Sequence, residues 1–155
     1  MPDSDRDVAF PVSEIYTSRR VEFADTDMGG IVHFSRFFVF METAEHELLR
    51  VLGAEVHMEI DGLHIGWPRV EAKCQYFSPA RLGDVLQIRV QIFKVGRRSI
   101  SYEITFTVDG ELIASGQTAS VCCVMDDPEG LRPIPIPTSI ADKITESENS
   151  SETAI

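Results

Sequence analysis

Two carboxylates two places apart, Asp25 and Asp27, precede Gly29-Gly30 and an aromatic run that starts at Phe34. A close Asp pair, two glycines and a helix start set an acid or base beside backbone N–H groups that the helix itself leaves unused. The stretch from Val21 to Phe37, which joins a strand-like run to the one long helix-like run, is therefore read as the reactive segment. Asp before a helix most often stabilises a turn or caps the helix, and that structural use is expected of Asp25. The segment also begins like a calcium loop, but the position that needs a bidentate Glu holds Arg36, which excludes it. His33, His46, His57 and His64 are scattered without metal-ligand spacing, so no metal site is expected.

These residues need a scaffold. The chain has 155 residues, enough for one compact domain with an ordinary core. Its apolar runs fall short of the roughly 20 residues of a membrane span, and Met1 to Asp7 is acidic and polar rather than signal-like, so a cytoplasmic, soluble protein is expected. A net charge of −11 argues against nucleic acid as the main partner, since phosphates attract Lys and Arg surfaces. Cys74, Cys122 and Cys123 lie in strand-like sequence and form an odd set, which suits reduced thiols better than disulfides.

Residues 1–12 read as a flexible arm, 13–140 as the folded domain and 141–155 as an acidic, disordered tail. Ile15, Thr17, Arg19, Val21 and Phe23 alternate as one face of a first strand. From Ser35 to Leu52, Phe37, Met41, Ala44, Leu48 and Leu52 keep helical spacing over about five turns, and Gly53 supplies the stop. The helix is apolar beyond one stripe, so sheet should enclose it on more than one side. Residues 54–66 are expected to hold a short turn or helix. Strands follow at Trp67 to Phe77, Val85 to Val95, Ser99 to Val108 and Leu112 to Met125, with a hairpin signal at Asp109-Gly110. One strand, one helix and a meander of strands describe an α+β fold.

That order, with Phe23-Ala24-Asp25-Thr26-Asp27-Met28-Gly29-Gly30-Ile31-Val32, resembles the hotdog-fold acyl-CoA thioesterases of the 4-hydroxybenzoyl-CoA thioesterase and YbgC-like type. Tyr76 to Asp84 and the Pro-rich stretch Leu131 to Ile140 are two further matches. The resemblance implies a hotdog fold, an antiparallel sheet of about five strands wrapped around one long central helix. It implies hydrolysis of an acyl-CoA thioester with Asp27 as nucleophile or general base. The amides of His33 and Phe34 are both candidate oxyanion donors at the helix start, and the family pattern favours Phe34. Gly29 and Gly30 would let the backbone approach the substrate. Arg97-Arg98-Ser99 is similar to a basic turn that binds the nucleotide end of coenzyme A in some members, with Arg81 a weaker candidate. No cofactor is implied beyond the coenzyme A of the substrate, and a homodimer or homotetramer is expected, with the site at the interface.

Relatives commonly carry Tyr or His just before the helix, whereas this chain has His33 followed by Phe34. The imidazole or hydroxyl at the second position is missing, and His33 is carried as a candidate for a side-chain role. Two other function classes remain open: a noncatalytic acyl-CoA binder, and a hotdog enoyl-CoA hydratase or dehydratase using His33. A phosphatase of the haloacid dehalogenase type also uses Asp-x-Asp after a strand, but needs alternating strands and helices that the second half lacks. Glu42 and Glu45, on the helix flank, are expected to form surface or dimer-facing ion pairs.

Overall fold

The computed structural model describes residues 8–148. Nine strands and two helices follow in the order β1 (Glu14–Arg20), α1 (Arg36–Val51), β2 (Met58–Ile60), β3 (Leu63–Gly66), β4 (Arg69–Tyr76), β5 (Val85–Val95), β6 (Ser99–Val108), β7 (Glu111–Val121), β8 (Cys123–Val124), β9 (Arg132–Pro133) and α2 (Thr138–Ala141) among the described residues. The main sheet has five antiparallel strands in the order β1-β5-β6-β7-β4, leaving β1 and β4 as edges. A smaller sheet, β2-β3-β8-β9, continues from β7.

The helix forms as its spacing predicts. No Gly or Pro interrupts Arg36–Val51, Leu52 is the C-cap, and Gly53 takes φ +74°, a left-handed stop that costs Gly little. Phe37, Phe40, Met41, Ala44, Leu48 and Leu49 face the core, and α1 packs against β1, β4 and β5. Its far side, with Val39, Glu42 and Thr43, is exposed, so sheet covers one side of this helix rather than several. Gly116 on β7 sits where a Cβ would strike the Met41 sulfur, which fixes how closely helix and sheet approach. Leu86, Ile88, Val90 and Ile92 on β5 and Ile100, Tyr102, Ile104 and Phe106 on β6 supply the facing core. Truncating Phe40 or Phe106, neither of them accessible, costs ~3–5 kcal/mol in comparable cores.

Three segments differ from the sequence expectation. The first strand stops at Arg20, and Phe23–Asp25 winds into a 3-10 turn closed by the Glu22 N–H donating to Asp25 Oδ2 at 2.9 Å. Phe23 therefore leaves the core face and is 82% exposed. Residues 54–66 form the β2-β3 hairpin, turned at Asp61-Gly62 with φ of 51° and 78°, a geometry that Asp-Gly readily adopts. Residues 141–148 pack on the domain: the Val12 N–H donates to the Lys143 carbonyl at 2.7 Å, Ile144 is buried, and the Ser147 N–H reaches the Ile92 carbonyl at 2.7 Å. Of the expected arm and tail, 1–7 and 149–155 lie outside the described residues.

Candidate active site

The loop between β1 and α1 is held by one carboxylate and leaves the other available. Asp25 is only 1% exposed. Its Oδ1 accepts Arg36 Nε at 3.0 Å and Nη2 at 2.8 Å, and Arg19 Nη2 stands 3.9 Å away. Its carbonyl accepts the His33 N–H at 2.8 Å. Asp25 thus ties the β1 end, the loop and the first residue of α1 together, and α1 itself has Ser35 as N-cap with no side-chain cap bond.

Asp27 is differently placed. Its Oδ1 accepts the Gly29 N–H at 2.8 Å, an Asx-type turn, while Oδ2 has no partner among the described residues. Main-chain bonds from Asp27 N–H to the Ile31 carbonyl at 2.8 Å and from Gly30 N–H to the Asp27 carbonyl at 3.0 Å close the loop. Gly30 takes φ +76°, and a Cβ on Gly29 would lie 3.1 Å from Asp27 Oδ1, so both glycines shape the carboxylate's own setting.

The two candidate amides separate here. The His33 N–H is spent on the Asp25 carbonyl, whereas the Phe34 N–H has no acceptor among the described residues. The Phe34 carbonyl is fixed from the other side, accepting the Tyr76 hydroxyl at 2.9 Å. Burial, then the Cys74 thiol beside it, raises the Tyr76 hydroxyl to about 12, so it remains a neutral donor. His33 Nδ1 lies 2.7 Å from Ser35 Oγ and accepts the Ser35 N–H at 3.2 Å, and its ring stacks on Phe34 with centroids 4.6 Å apart.

Asp27 and Phe34 border a cleft of about 430 Å3 whose other walls include Phe37, Tyr76 and Phe77. The Ile31–Arg81 bridge and the Val32 N–H to Ala80 carbonyl bond of 2.8 Å close its base. Sequence reasoning did not assign Tyr76 and Phe77 to the site; the signal was an aromatic pair at a strand end before Ser78-Pro79. Arg97, Arg98 and Ser99 fall elsewhere, at the β5-β6 turn. With 11 residues in β5, that turn lies roughly 35 Å from the end nearest Asp27. Within one chain the structure brings Arg81, not Arg97 or Arg98, beside the loop.

Glu45 is also not where the sequence put it. It is 2% exposed on the core side of α1, bonded to Thr118 Oγ1 on β7 and to Arg69 Nη2 on β4, rather than on an outer flank. Burial pushes its pKa up, against the opposing pull of Arg69 and Thr118. No group of three or more His, Cys, Asp or Glu side chains among the described residues could hold a metal ion.

Comparison with known proteins gives this geometry a family. The model of the thioesterase-like superfamily matches residues 21–144. The chain is 30% identical over 128 residues to a 1,4-dihydroxy-2-naphthoyl-CoA hydrolase of Synechocystis, covering 80% of this chain and 92% of the relative. It is 27% identical over 136 residues to the acyl-CoA thioesterase YbgC of Haemophilus influenzae, covering 88% and 93%. Among solved structures, the gentisyl-coenzyme A thioesterase BH1999 aligns with a TM-score of 0.73 at 35% identity, covering 82% of this chain and 99% of that one. The chain belongs to the thioesterase-like superfamily.

Proposed function

We propose that this chain hydrolyses acyl-CoA thioesters to a free acid and coenzyme A, with Asp27 as the catalytic carboxylate. The observation that carries this reading is that a carboxylate oxygen without a partner and an unused N–H, those of Asp27 and Phe34, border one apolar cleft. The named relatives, hydrolases of acyl-CoA thioesters, support it.

Two routes fit a carboxylate here. As nucleophile, Asp27 adds to the thioester carbonyl, the tetrahedral adduct expels the coenzyme A thiolate, and water cleaves the resulting mixed anhydride. As general base, Asp27 takes a proton from water while the oxygen adds to the carbonyl, and collapse again expels the thiolate. Both develop negative charge on the carbonyl oxygen. The Phe34 N–H, near the positive end of α1, is the donor for that charge; loss of one such donor typically costs ~2.7–4 kcal/mol of barrier.

Coenzyme A needs cations, and Arg97 and Arg98 carry no ion pair among the described residues. Their distance from Asp27 means that they would serve a second chain's site. Antiparallel pairing of the edge strand β4 with that of another copy would reverse the partner's sheet, moving its β5-β6 turn to the end where Asp27 lies. A homodimer built in this way, cytoplasmic and without a further cofactor, is the assembly proposed. The test is free-thiol release from a panel of acyl-CoAs. Turnover supports the reading; ligand binding without thiol release favours the noncatalytic binder, and hydration of an enoyl-CoA without thiol release favours the hydratase.

A further inference from the structure

The turn that carries Arg97 and Arg98 stands on an overhang of the main sheet. β1 pairs with β5 as far as Glu14 opposite Gln91, and the Ser13 carbonyl still accepts the Ile92 N–H at 2.9 Å. β5 then runs on to Val95, paired with Ile100 of β6 on one side but past the end of β1 on the other. Main-chain groups left open on such an edge need another partner.

The C-terminal segment takes that edge. Ile136, Ile140 and Ile144 are buried at intervals of four residues, and Lys143 Nζ donates to the Leu52 carbonyl at the end of α1 at 3.0 Å. The segment so anchored brings residues 146 and 147 alongside β5. The Ser147 N–H meets the Ile92 carbonyl at 2.7 Å, Gln91 Nε2 donates to Ser147 Oγ at 3.1 Å, and Glu146 Oε1 accepts the Val95 N–H at 2.9 Å.

The turn is gripped from its other side as well. The Ile136 N–H donates to the Arg97 carbonyl at 2.9 Å, with Pro135 and Pro137 restricting the backbone on either side, and the Cys122 N–H donates to the Arg98 carbonyl at 2.7 Å. The Gly96 N–H closes the turn on the Ser99 carbonyl at 2.8 Å. In this clamp Glu146 is the side chain that holds the strand two residues ahead of Arg97.

In a chain of net charge −11 a polyanion binds only where cations are held together, and ordering a loose turn on binding subtracts from affinity. We infer that Glu146 is a positioning residue for coenzyme A. By holding Val95 it fixes the Arg97–Arg98 turn in the place where the phosphates of the nucleotide end bind, at the site of the second copy. The inference rests on the reading of Arg97 and Arg98 given above. Charge alone gives the opposite sign, because a carboxylate near these cations weakens their attraction for phosphate.

That difference in sign is the basis of the test. Calorimetric titration with S-butyl-CoA, a thioether that cannot be hydrolysed, is expected to show binding weakened about fivefold in Glu146→Ala. Glu146→Gln, which keeps an acceptor oxygen for Val95 and loses the charge, should bind at least as tightly as the parent. In thiol release, the Glu146→Ala penalty on butyryl-CoA should fall on KM and not on kcat, and be absent with butyryl-pantetheine, which lacks the nucleotide. Only one exposed hydrogen bond is lost, so the melting temperature should stay within about 4 °C of the parent. Unchanged or tighter S-butyl-CoA binding in Glu146→Ala, failure of Glu146→Gln to restore it, or an equal penalty on the two thioesters overturns the inference. The double variant Arg97→Ala, Arg98→Ala tests the reading beneath it: weakened S-butyl-CoA binding there upholds the nucleotide site whatever Glu146→Ala does, and parental binding overturns both. If Glu146→Ala weakens binding as expected, yet no acyl-CoA releases thiol, the positioning role stands and the hydrolase reading fails.

Discussion

Asp25→Asn separates the organising carboxylate from the reactive one. The substitution removes the charge from a side chain that is 1% exposed and accepts two hydrogen bonds from Arg36 and one from the Glu22 N–H. Charge-assisted bonds contribute ~1.5–3 kcal/mol, but Arg36 is 34% exposed and water recovers part of that. An Asn oxygen can satisfy either Arg36 or the Glu22 N–H, leaving its NH2 against the other donor. The net loss works out at about 2–3 kcal/mol. For 155 residues, each kcal/mol shifts Tm by about 2–4 °C, so thermal denaturation should show a fall of about 5–10 °C. Thiol release measured well below the new Tm should drop only severalfold, through loosening of the loop that carries Asp27. A Tm within about 2 °C of the parent, with turnover lost as completely as expected for an Asp27 variant, would refute the division of labour.

Other expectations follow from the same contacts. Gly29→Ala should leave Tm within about 2 °C but lower kcat about tenfold, because the new Cβ, 3.1 Å from Asp27 Oδ1, displaces the carboxylate; kinetics beside a melting curve decides it. Tyr76→Phe removes one hydrogen bond to the Phe34 carbonyl and should cost about 1 kcal/mol in urea unfolding, with a severalfold fall in kcat as that peptide loosens. Burial raises the Glu45 pKa, so the folded chain holds that proton more tightly than the unfolded chain. The associated penalty is absent below the ordinary value near 4.5, grows as pH rises through the window up to the raised value, and is constant above it. In Glu45→Gln that pH-dependent component of stability should vanish, which denaturant titrations at several pH values would detect as a flatter profile.

Much of the scaffold was readable because local signals agreed. On β5 and β6 strict alternation is bounded by Gly96 and Asp109-Gly110, and α1 runs from Ser35 to a left-handed Gly53, so period and punctuation gave the same answer. The β2-β3 hairpin was not legible: strands of three and four residues are too short to show a period, and only Asp61-Gly62 marked the turn. Phe23 continues the alternation of β1, yet the Glu22–Asp25 bond winds the chain away from the sheet. At the site, the Asp-x-Asp and Gly-Gly spacing was visible, but the division between the two carboxylates depends on Arg36, 11 residues from Asp25. Glu45 owes its burial to Arg69 and Thr118 on two different strands. Its place beside Met41 and Leu48 on the helical period was the available clue. Long-range partners of this kind leave no periodic trace in sequence.

The central claim is that Asp27 carries the chemistry, and free-thiol release by Asp27→Asn tests it most directly. With Oδ2 unpartnered and Oδ1 bonded only to the Gly29 N–H, the Asn variant should keep its Tm within about 2 °C and bind S-butyl-CoA as the parent does. Its kcat for acyl-CoA should fall by at least about a hundredfold. A folded Asp27→Asn protein that releases thiol at the parental rate would contradict the account.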